Sequence, residues 1–352
     1  MHKLLITGIT GLVGRNVLRT ILDKIPDLSV TAIVRPGTKP SRYAEFAVQQ
    51  PGMDPAISQS HAPVINYGLH SPNPIRVVEI DLADIVSLKD FLFTNDFNTV
   101  LHIGAIRGGR KFPKSIYLKS NVYATEQMVE YCLAKEARLI FCSSVGVFGA
   151  IPNELPANLL TEKNPDNYYH YTKIEAERTI NKAVLYGLQA AIVRPSITYG
   201  TGDYGFPYQL VKMVNHHYFP LINKRIWIHL CHIDGLVKAL SYLVEKQWES
   251  GITFAVADRE PVQLKSLVDF ISRQLQGKNY PSSLVIDRRF FSFGEKIARM
   301  MHNELWISRF ELISKSWFYD VSTFHELLEK EGYLPHFTIP EFKITIEDYQ
   351  KR

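Results

Sequence analysis

The first apolar run of this chain breaks on three evenly spaced glycines, and few folds accommodate that arrangement. KLLITG (3–8) reads as a strand, and TGITGLVG then sets Gly8, Gly11 and Gly14 from its end into the start of the amphipathic segment LVGRNVLRTIL. Glycines at such a junction allow a tight turn, close approach of the backbone to a pyrophosphate, and close packing of helix on strand. The N-terminus of the following helix then faces the phosphates. The spacing is Gly-x-x-Gly-x-x-Gly rather than the usual Gly-x-Gly-x-x-Gly, but the strand before and the helix after supply the context that fingerprint needs. The expectation is a dinucleotide-binding βα turn.

The chain beyond this turn keeps the same rhythm. SVTAIVR (29–35), IRVVEIDL (75–82), TVLHIGA (99–105), RLIFCSSV (138–145) and QAAIVRPSI (189–197) are continuous apolar runs of strand length. Such runs belong to a parallel sheet buried on both faces. Helical patterns lie between them, near 12–25, 84–94, 114–136 and 172–186. The predicted fold is therefore α/β, a Rossmann-type doubly wound parallel sheet. Residues 36–74, rich in Pro, Gln and Ser, interrupt it as a short helix plus a long surface excursion. After 198 the alternation weakens into helices near 204–217, 233–246 and 263–276, a strand ITFAVAD (252–258), and a mostly helical, aromatic tail from 284. The expected organisation is a dinucleotide-binding domain over 1–197, with 230–258 returning to it. Residues 198–229 and 259–352 would form a smaller substrate-binding lobe.

Composition excludes several classes. The net charge of +5 is mild and interspersed, with no basic run, so no nucleic-acid partner is expected. Cys132, Cys142 and Cys231 show no metal-ligand spacing, and so sparse a set fits a reducing compartment; no metal is expected. MHKLLITG offers no apolar leader, and no stretch approaches the roughly 18–20 residues of a membrane span. The expectation is a soluble, cytoplasmic protein with a small-molecule substrate, and a homodimer as an open option.

The end of the second strand bears on the choice of dinucleotide. A carboxylate there would hold a ribose 2′-hydroxyl, whereas an arginine suits a 2′-phosphate. IVRPGTKPSR supplies Arg35, Lys39 and Arg42 and no acid, which favours NADP, with NAD as the alternative. Asp81, in EIDLAD, is a candidate for the adenine edge.

NYYHYTK (167–173) raises a different question, because it crowds three tyrosines ahead of a lysine. On a helix, residues four apart share a face, so Tyr169 is the phenol that pairs with Lys173. Tyr-x-x-x-Lys also occurs at Tyr131–Lys135, Tyr208–Lys212 and Tyr242–Lys246. Topology separates them. Only Tyr169–Lys173 opens the helix after the fifth strand, whose carboxyl end carries Ser143 and Ser144 where open α/β sheets bind ligands.

Taken in order, TGITGLVG, DLAD, LHIGA, NVYAT, FCSSVGVFG, YHYTK, RPSITYG and HIDGLVKAL resemble the extended short-chain dehydrogenase/reductase family, also called the NAD-dependent epimerase/dehydratase family. The resemblance spans most of the chain. It implies Ser144, Tyr169, Lys173 and Asn121 as catalytic residues; Ser144 lies five residues before Gly149 and 25 before Tyr169, as in the family. It implies a cofactor contact set of Thr7, Gly8, Thr10, Gly11, Leu12, Val13, Gly14, Arg35, Asp81, Leu82, Gly104, Ala105, Asn121, Tyr169, Lys173, Pro195, Ser196 and Ile197. Lys173 would hold the nicotinamide ribose. The chemistry suits these residue types. A hydride moving to or from a carbon needs a proton moved at its oxygen, and an ammonium beside a phenol makes the phenolate accessible.

Substrate class is less legible. Sugar 4,6-dehydratases of the family carry an acidic pair just after the catalytic Ser or Thr, where this chain has Val145 and Gly146. Nucleotide-sugar epimerases usually carry an asparagine where this chain has Ile197. RPSITYGTGD is closer to the hydroxysteroid-dehydrogenase and dihydroflavonol-reductase branches, and the aromatic stretch 288–320 would suit an apolar pocket. IRGGRK pulls the other way, since Arg107, Arg110 and Lys111 would suit an anionic substrate. Ser144 and Tyr199 complete the candidate substrate contacts. The first expectation is an NAD(P)-dependent oxidoreductase acting on a secondary alcohol or ketone of a mainly apolar small molecule. A nucleoside-diphosphate-sugar epimerase is the alternative, and a non-catalytic dinucleotide sensor a third reading that the intact Ser144, Tyr169 and Lys173 disfavour.

Overall fold

The computed structural model describes residues 2–25, 27–46, 64–66, 74–286, 296, 300 and 310–352. Seven strands carry the main sheet: β1 (His2–Thr7), β2 (Leu28–Val34), β3 (Val64–Asn66), β4 (Pro74–Glu79), β5 (Thr99–His102), β6 (Arg138–Cys142) and β7 (Ala190–Pro195). With the edge strand Thr253–Val256 they form one sheet, in the order Thr253–Val256, β7, β6, β5, β1, β2, β4, β3. The pairings β1–β2, β1–β5, β2–β4, β5–β6 and β6–β7 are parallel. β3 runs antiparallel to β4, inside the segment that the sequence suggested was a surface excursion. Strand order reverses between β1 and β5, and ligands of open α/β sheets bind outside the carboxyl ends of the strands at such a point.

The helices that build the first half are α1 (Leu12–Lys24), α2 (Ile85–Phe93), α3 (Lys114–Leu118), α4 (Ala124–Lys135) and α5 (Tyr168–Val184). Three of them show a local reason. α1 turns Val17, Leu18, Ile21 and Leu22 inward, spaced for one helical face. Asp84 caps α2 by accepting from Ser87 N. α5 starts at Tyr168, where Asn167 Oδ1 accepts from His170 N at 3.0 Å. The pattern over 114–136 predicts one continuous helix, but α3 and α4 are joined by a π-helical turn, Lys119–Tyr123. π-turns insert a residue into the ladder and recur at functional sites.

The chain divides into two compact units. The first comprises Met1–Ser143, Tyr171–Val193 and Val237–Thr253. Its core joins Leu5, Val100, Leu139, Phe141 and Ile192 from the strands to Leu88 and Leu92 of α2, Met128 and Tyr131 of α4, and Ala176 and Ile180 of α5. Burial of this apolar surface is the main stabilising term of such a unit. The second comprises Ser144–His170, Arg194–Leu236 and Phe254–Arg352. It packs α6 (Phe206–Asn215) and α8 (Leu264–Gln276) with the helix Lys343–Gln350, and it buries Trp317, Tyr199, Phe219 and Phe342. Between those two helices in sequence, α7 (Ile233–Glu245) begins in the second unit and continues into the first. Most of the aromatic stretch 288–320 lies outside the described residues.

Candidate active site

In the first unit, the glycine turn follows β1 at the switch point. Gly8 has φ +84°, a conformation that L side chains rarely adopt. A Cβ on Gly14 would stand 2.4 Å from the Gly8 carbonyl oxygen, and one on Gly8 would stand 2.9 Å from Gly104 N. Neither position admits a side chain, so backbone lines the carboxyl ends of β1 and β5. Gly11 has extended backbone and precedes α1 without a side-chain cap, which leaves the first N–H groups of that helix for another acceptor. A pyrophosphate is an acceptor of that kind, and the cradle fits one.

Thr7 ends β1, with its hydroxyl oxygen accepting from Ile103 N at 3.1 Å and Gly104 N at 2.9 Å. Its hydrogen is therefore left for His102 Nδ1, 2.8 Å away, which fixes the neutral, Nε2-protonated form of that imidazole. Burial agrees, pushing the His102 pKa down to about 3, with the Lys173 charge adding to the effect. Leu82 and Thr7 side chains border Gly104, where a Cβ would meet Leu82 Cδ1 at 3.1 Å. Asp81 folds back on itself, with Oδ1 accepting from Ala83 N at 2.9 Å.

The basic loop after β2 runs beside this turn. Arg42 donates to Thr10 O at 3.3 Å, and Arg15 donates to Arg42 O at 2.9 Å. Arg35 and Lys39 are exposed, and the Arg35 guanidinium lies 6.0 Å from the Phe112 ring. Glu79, which sequence reasoning missed, has its carboxylate accepting from Gly37 N at 3.1 Å. Its register opposite Val34 was the available signal.

Lys173 is buried in α5 and donates to Cys142 O at 2.7 Å, with its ammonium 4.4 Å from the Phe141 ring. Burial lowers its pKa to about 8, against the opposing pull of Cys142 and Glu177. Asn121 sits in the π-turn with its amide fully engaged. Oδ1 accepts from Ile106 N at 2.8 Å, while Nδ2 donates to Ile106 O at 3.0 Å and Thr172 Oγ at 3.1 Å. It thereby ties the chain leaving β5 to α5. Arg107, Arg110 and Lys111 are exposed, on a loop whose Arg107 and Arg110 carbonyls accept from Tyr117 OH.

In the second unit, Ser144 heads a 3₁₀ turn, Val145–Phe148, and its Oγ accepts from Gly146 N at 3.0 Å. Ser143, by contrast, ends the first unit with its hydroxyl committed to buried Glu177 at 2.7 Å. Tyr169 is half-buried beside His170. His170 is held by Asp166 and Asn167, and its imidazole lies over Gly146: a Cβ there would stand 2.0 Å from Nε2. Nothing in the sequence announced that contact between residues 24 positions apart. Of the other Tyr-x-x-x-Lys pairs, Tyr131 is wholly buried with its oxygen accepting from Phe97 N at 2.6 Å.

Further along the second unit, Ser196 Oγ donates to His229 O, Ser196 N donates to Val256 O, and Ile197 O accepts from Cys231 N. Tyr199 is wholly buried, with its phenol donated to Asp258 at 2.8 Å and its ring against His232 and Phe342. Sequence could not reveal Asp258 as its partner across 59 residues. Among the described residues, His232, Asp234 and His336 bring ligand-type atoms within 4.8 Å of one another. His336 Nε2 lies 3.0 Å from Asp234 Oδ2, and His232 Nδ1 accepts from Asp234 N at 3.3 Å.

Two buried neutral histidines make a pH prediction. His229 Nε2 bonds Asp258 O and Nδ1 accepts from Tyr319 N, and burial lowers its pKa to about 4. For His102 and His229 the folded pKa lies below the unfolded value of 6.5, so stability present above 6.5 is lost as pH falls toward 4. Each histidine contributes a slope of about 1.4 kcal/mol per pH unit. Asp258, raised to about 6 by burial, acts in the opposite sense over part of that range. Urea unfolding between pH 4.5 and 6.5 should therefore show a shallower loss of stability in His102→Gln than in wild type, by one such slope. Identical slopes would refute the neutral assignment.

The same architecture recurs in solved structures. One is UDP-glucuronic acid 4-epimerase from Bacillus cereus in complex with NAD, at a TM-score of 0.68 and 16% identity, with 99% of each chain covered. Another is gox2253, at 0.72 and 20%, covering 100% of this chain and 98% of that one. A third is the terminal R domain from the myxalamid PKS-NRPS pathway, at 0.71 and 14%, covering 100% and 91%. Identities this low establish the fold alone. The model of one enzyme family also matches this sequence continuously over residues 4–257, from the first strand and its glycine turn to the edge strand of the sheet. On that match the chain belongs to the NAD dependent epimerase/dehydratase family.

Proposed function

We propose that this enzyme transfers a hydride between a nicotinamide dinucleotide and a secondary alcohol or ketone, as a net oxidoreductase. The observation that carries the reading is Lys173, a buried ammonium one helical turn from Tyr169 on α5. In reduction, Tyr169 passes its proton to the carbonyl oxygen. The Lys173 charge favours the phenolate left behind, and Ser144 hydrogen-bonds the same oxygen and orients it. The bound nicotinamide would supply the hydride. Thr7, Gly8, Thr10, Gly11, Leu12, Val13, Gly14, Asp81, Leu82, Gly104, Ala105 and the Pro195–Ile197 segment would hold the dinucleotide, with Asn121 keeping the β5 exit in register.

Gly146 argues against elimination chemistry. The acidic group of a 4,6-dehydratase has no room where the His170 imidazole already lies against the backbone. Ile197 favours a mainly apolar substrate, because an isoleucine cannot replace the hydrogen bonds of the asparagine that nucleotide-sugar epimerases usually carry there. Epimerisation of a nucleoside-diphosphate sugar is the second reading. It is supported by the exposed Arg107, Arg110 and Lys111, and by relatives of the fold that carry that activity. A thermal-shift panel decides between them. Steroid-like and aromatic ketones should stabilise the protein in the presence of saturating NADP. Stabilisation by UDP- or GDP-sugars alone would transfer the assignment to the second reading.

Arg35, with Lys39 and Arg42, supports NADP over NAD. Arg35→Asp removes a bidentate phosphate partner and adds a repelling charge. Its NADP affinity should fall about tenfold or more, a cost of about 1.4 kcal/mol or above, while NAD affinity changes little. Calorimetry that finds wild type binding NAD more tightly than NADP would reverse the cofactor assignment.

A further inference from the structure

α5 grips the end of β6 twice, one helical turn apart. Lys173 donates to Cys142 O at 2.7 Å, and Glu177 accepts from Ser143 Oγ at 2.7 Å. Both side chains are buried, and Glu177 is completely so. Residues 142 and 143 are the last two before Ser144, so the two bonds fix the strand end that presents it. Resting on the reading of Lys173 given above, we propose that Glu177 is a positioning residue that anchors Ser143 and sets a negative charge against the Lys173 ammonium.

Burying a carboxylate is costly unless it is paired and hydrogen-bonded. The hydroxyl of Ser143 donates to it, which favours the ionised form. Residues four apart on a helix are neighbours, so this charge reaches Lys173 along a single face. The other titratable groups acting on Lys173 are of different character. Cys142, on β6, is a thiol that burial pushes up, against the opposing charges of Lys173 and Arg107. His102, on β5, is neutral. Burial works to strip the proton from Lys173, and Glu177 works to keep it there. Without Glu177, Lys173 would lose its charge nearer neutrality, and the site would lose its alkaline range.

The test needs no substrate. Dissociation constants of NADPH and of NADH are measured by nicotinamide fluorescence from pH 6 to 10, for wild type, Lys173→Met, Glu177→Gln and Ser143→Ala. Wild-type affinity should fall on the alkaline side as Lys173 titrates, and Lys173→Met should lack that limb. Glu177→Gln, which keeps a hydrogen-bonding partner for Ser143 but removes the charge, should displace the limb downward by about one pH unit. Ser143→Ala, which removes the donor to the carboxylate but keeps the carboxylate, should lower thermal stability and displace the limb by less than Glu177→Gln does. If Glu177→Gln does not fold, Glu177→Asp, which draws the charge back by one methylene, should give a smaller displacement in the same direction. A limb that stays at its wild-type position in the Glu177 variant, but vanishes in Lys173→Met, overturns the role of Glu177 and leaves the site reading intact. A limb that persists in Lys173→Met overturns the site reading itself.

Discussion

Tyr169→Phe is expected to lower turnover by ~10²–10⁴-fold while leaving dinucleotide affinity close to wild type, the loss characteristic of a removed general acid–base group. The substitution keeps the ring and removes only the hydroxyl, so packing beside His170 should survive. Tyr131→Phe is the matched control. Its oxygen is buried against Phe97 N, so the change should cost stability, by about 1–3 kcal/mol for the partner left unsatisfied, and should not reduce turnover. Steady-state rates and melting curves on both variants separate the two outcomes. Wild-type turnover in Tyr169→Phe would remove it from the chemistry.

Gly14→Ala should be nearly as damaging, but through binding. The added methyl would stand 2.4 Å from the Gly8 carbonyl oxygen, and that atom is backbone in a turn already held at positive φ. Relief requires the start of α1 to move away from β1, at the cost of about 1–3 kcal/mol typical of overpacking. Because the same movement carries the helix N-terminus away from the phosphates, dinucleotide affinity should fall by roughly 10- to 100-fold. Fluorescence titration with NADPH reads this directly, and Gly37→Ala provides a comparison. Gly37 also has positive φ but has open space around it, so a strained but unclashed loop should bind almost normally.

The parallel sheet was legible because its strands are buried on both faces and therefore read as unbroken apolar runs, from Leu4–Leu5–Ile6 to Ala190–Val193. The glycine turn was legible because its constraint is local. The features that stayed hidden depend on partners distant in sequence. The periodicity of 114–136 carries no sign of the π-turn, which coincides with the bonds of the Asn121 amide to Ile106 and Thr172. The family resemblance singles out Ser144, but nothing in the sequence shows that Glu177, 34 residues on, takes the hydroxyl of Ser143. Tyr199 is a candidate substrate contact by sequence, and the bond from its phenol to Asp258, 59 residues on, is one that the sequence does not announce. The start of α5 was encoded and overlooked: Asn167 is the cap that sets it at Tyr168.

Nicotinamide absorbance during turnover tests the central claim most directly. Wild type supplied with NADPH and a ketone from the panel should lose absorbance at about 340 nm in step with the alcohol formed, and Tyr169→Phe should show almost none of this. Conversion of a nucleotide sugar at steady rate, with the nicotinamide absorbance unchanged throughout, would contradict net oxidoreduction and make this chain an epimerase.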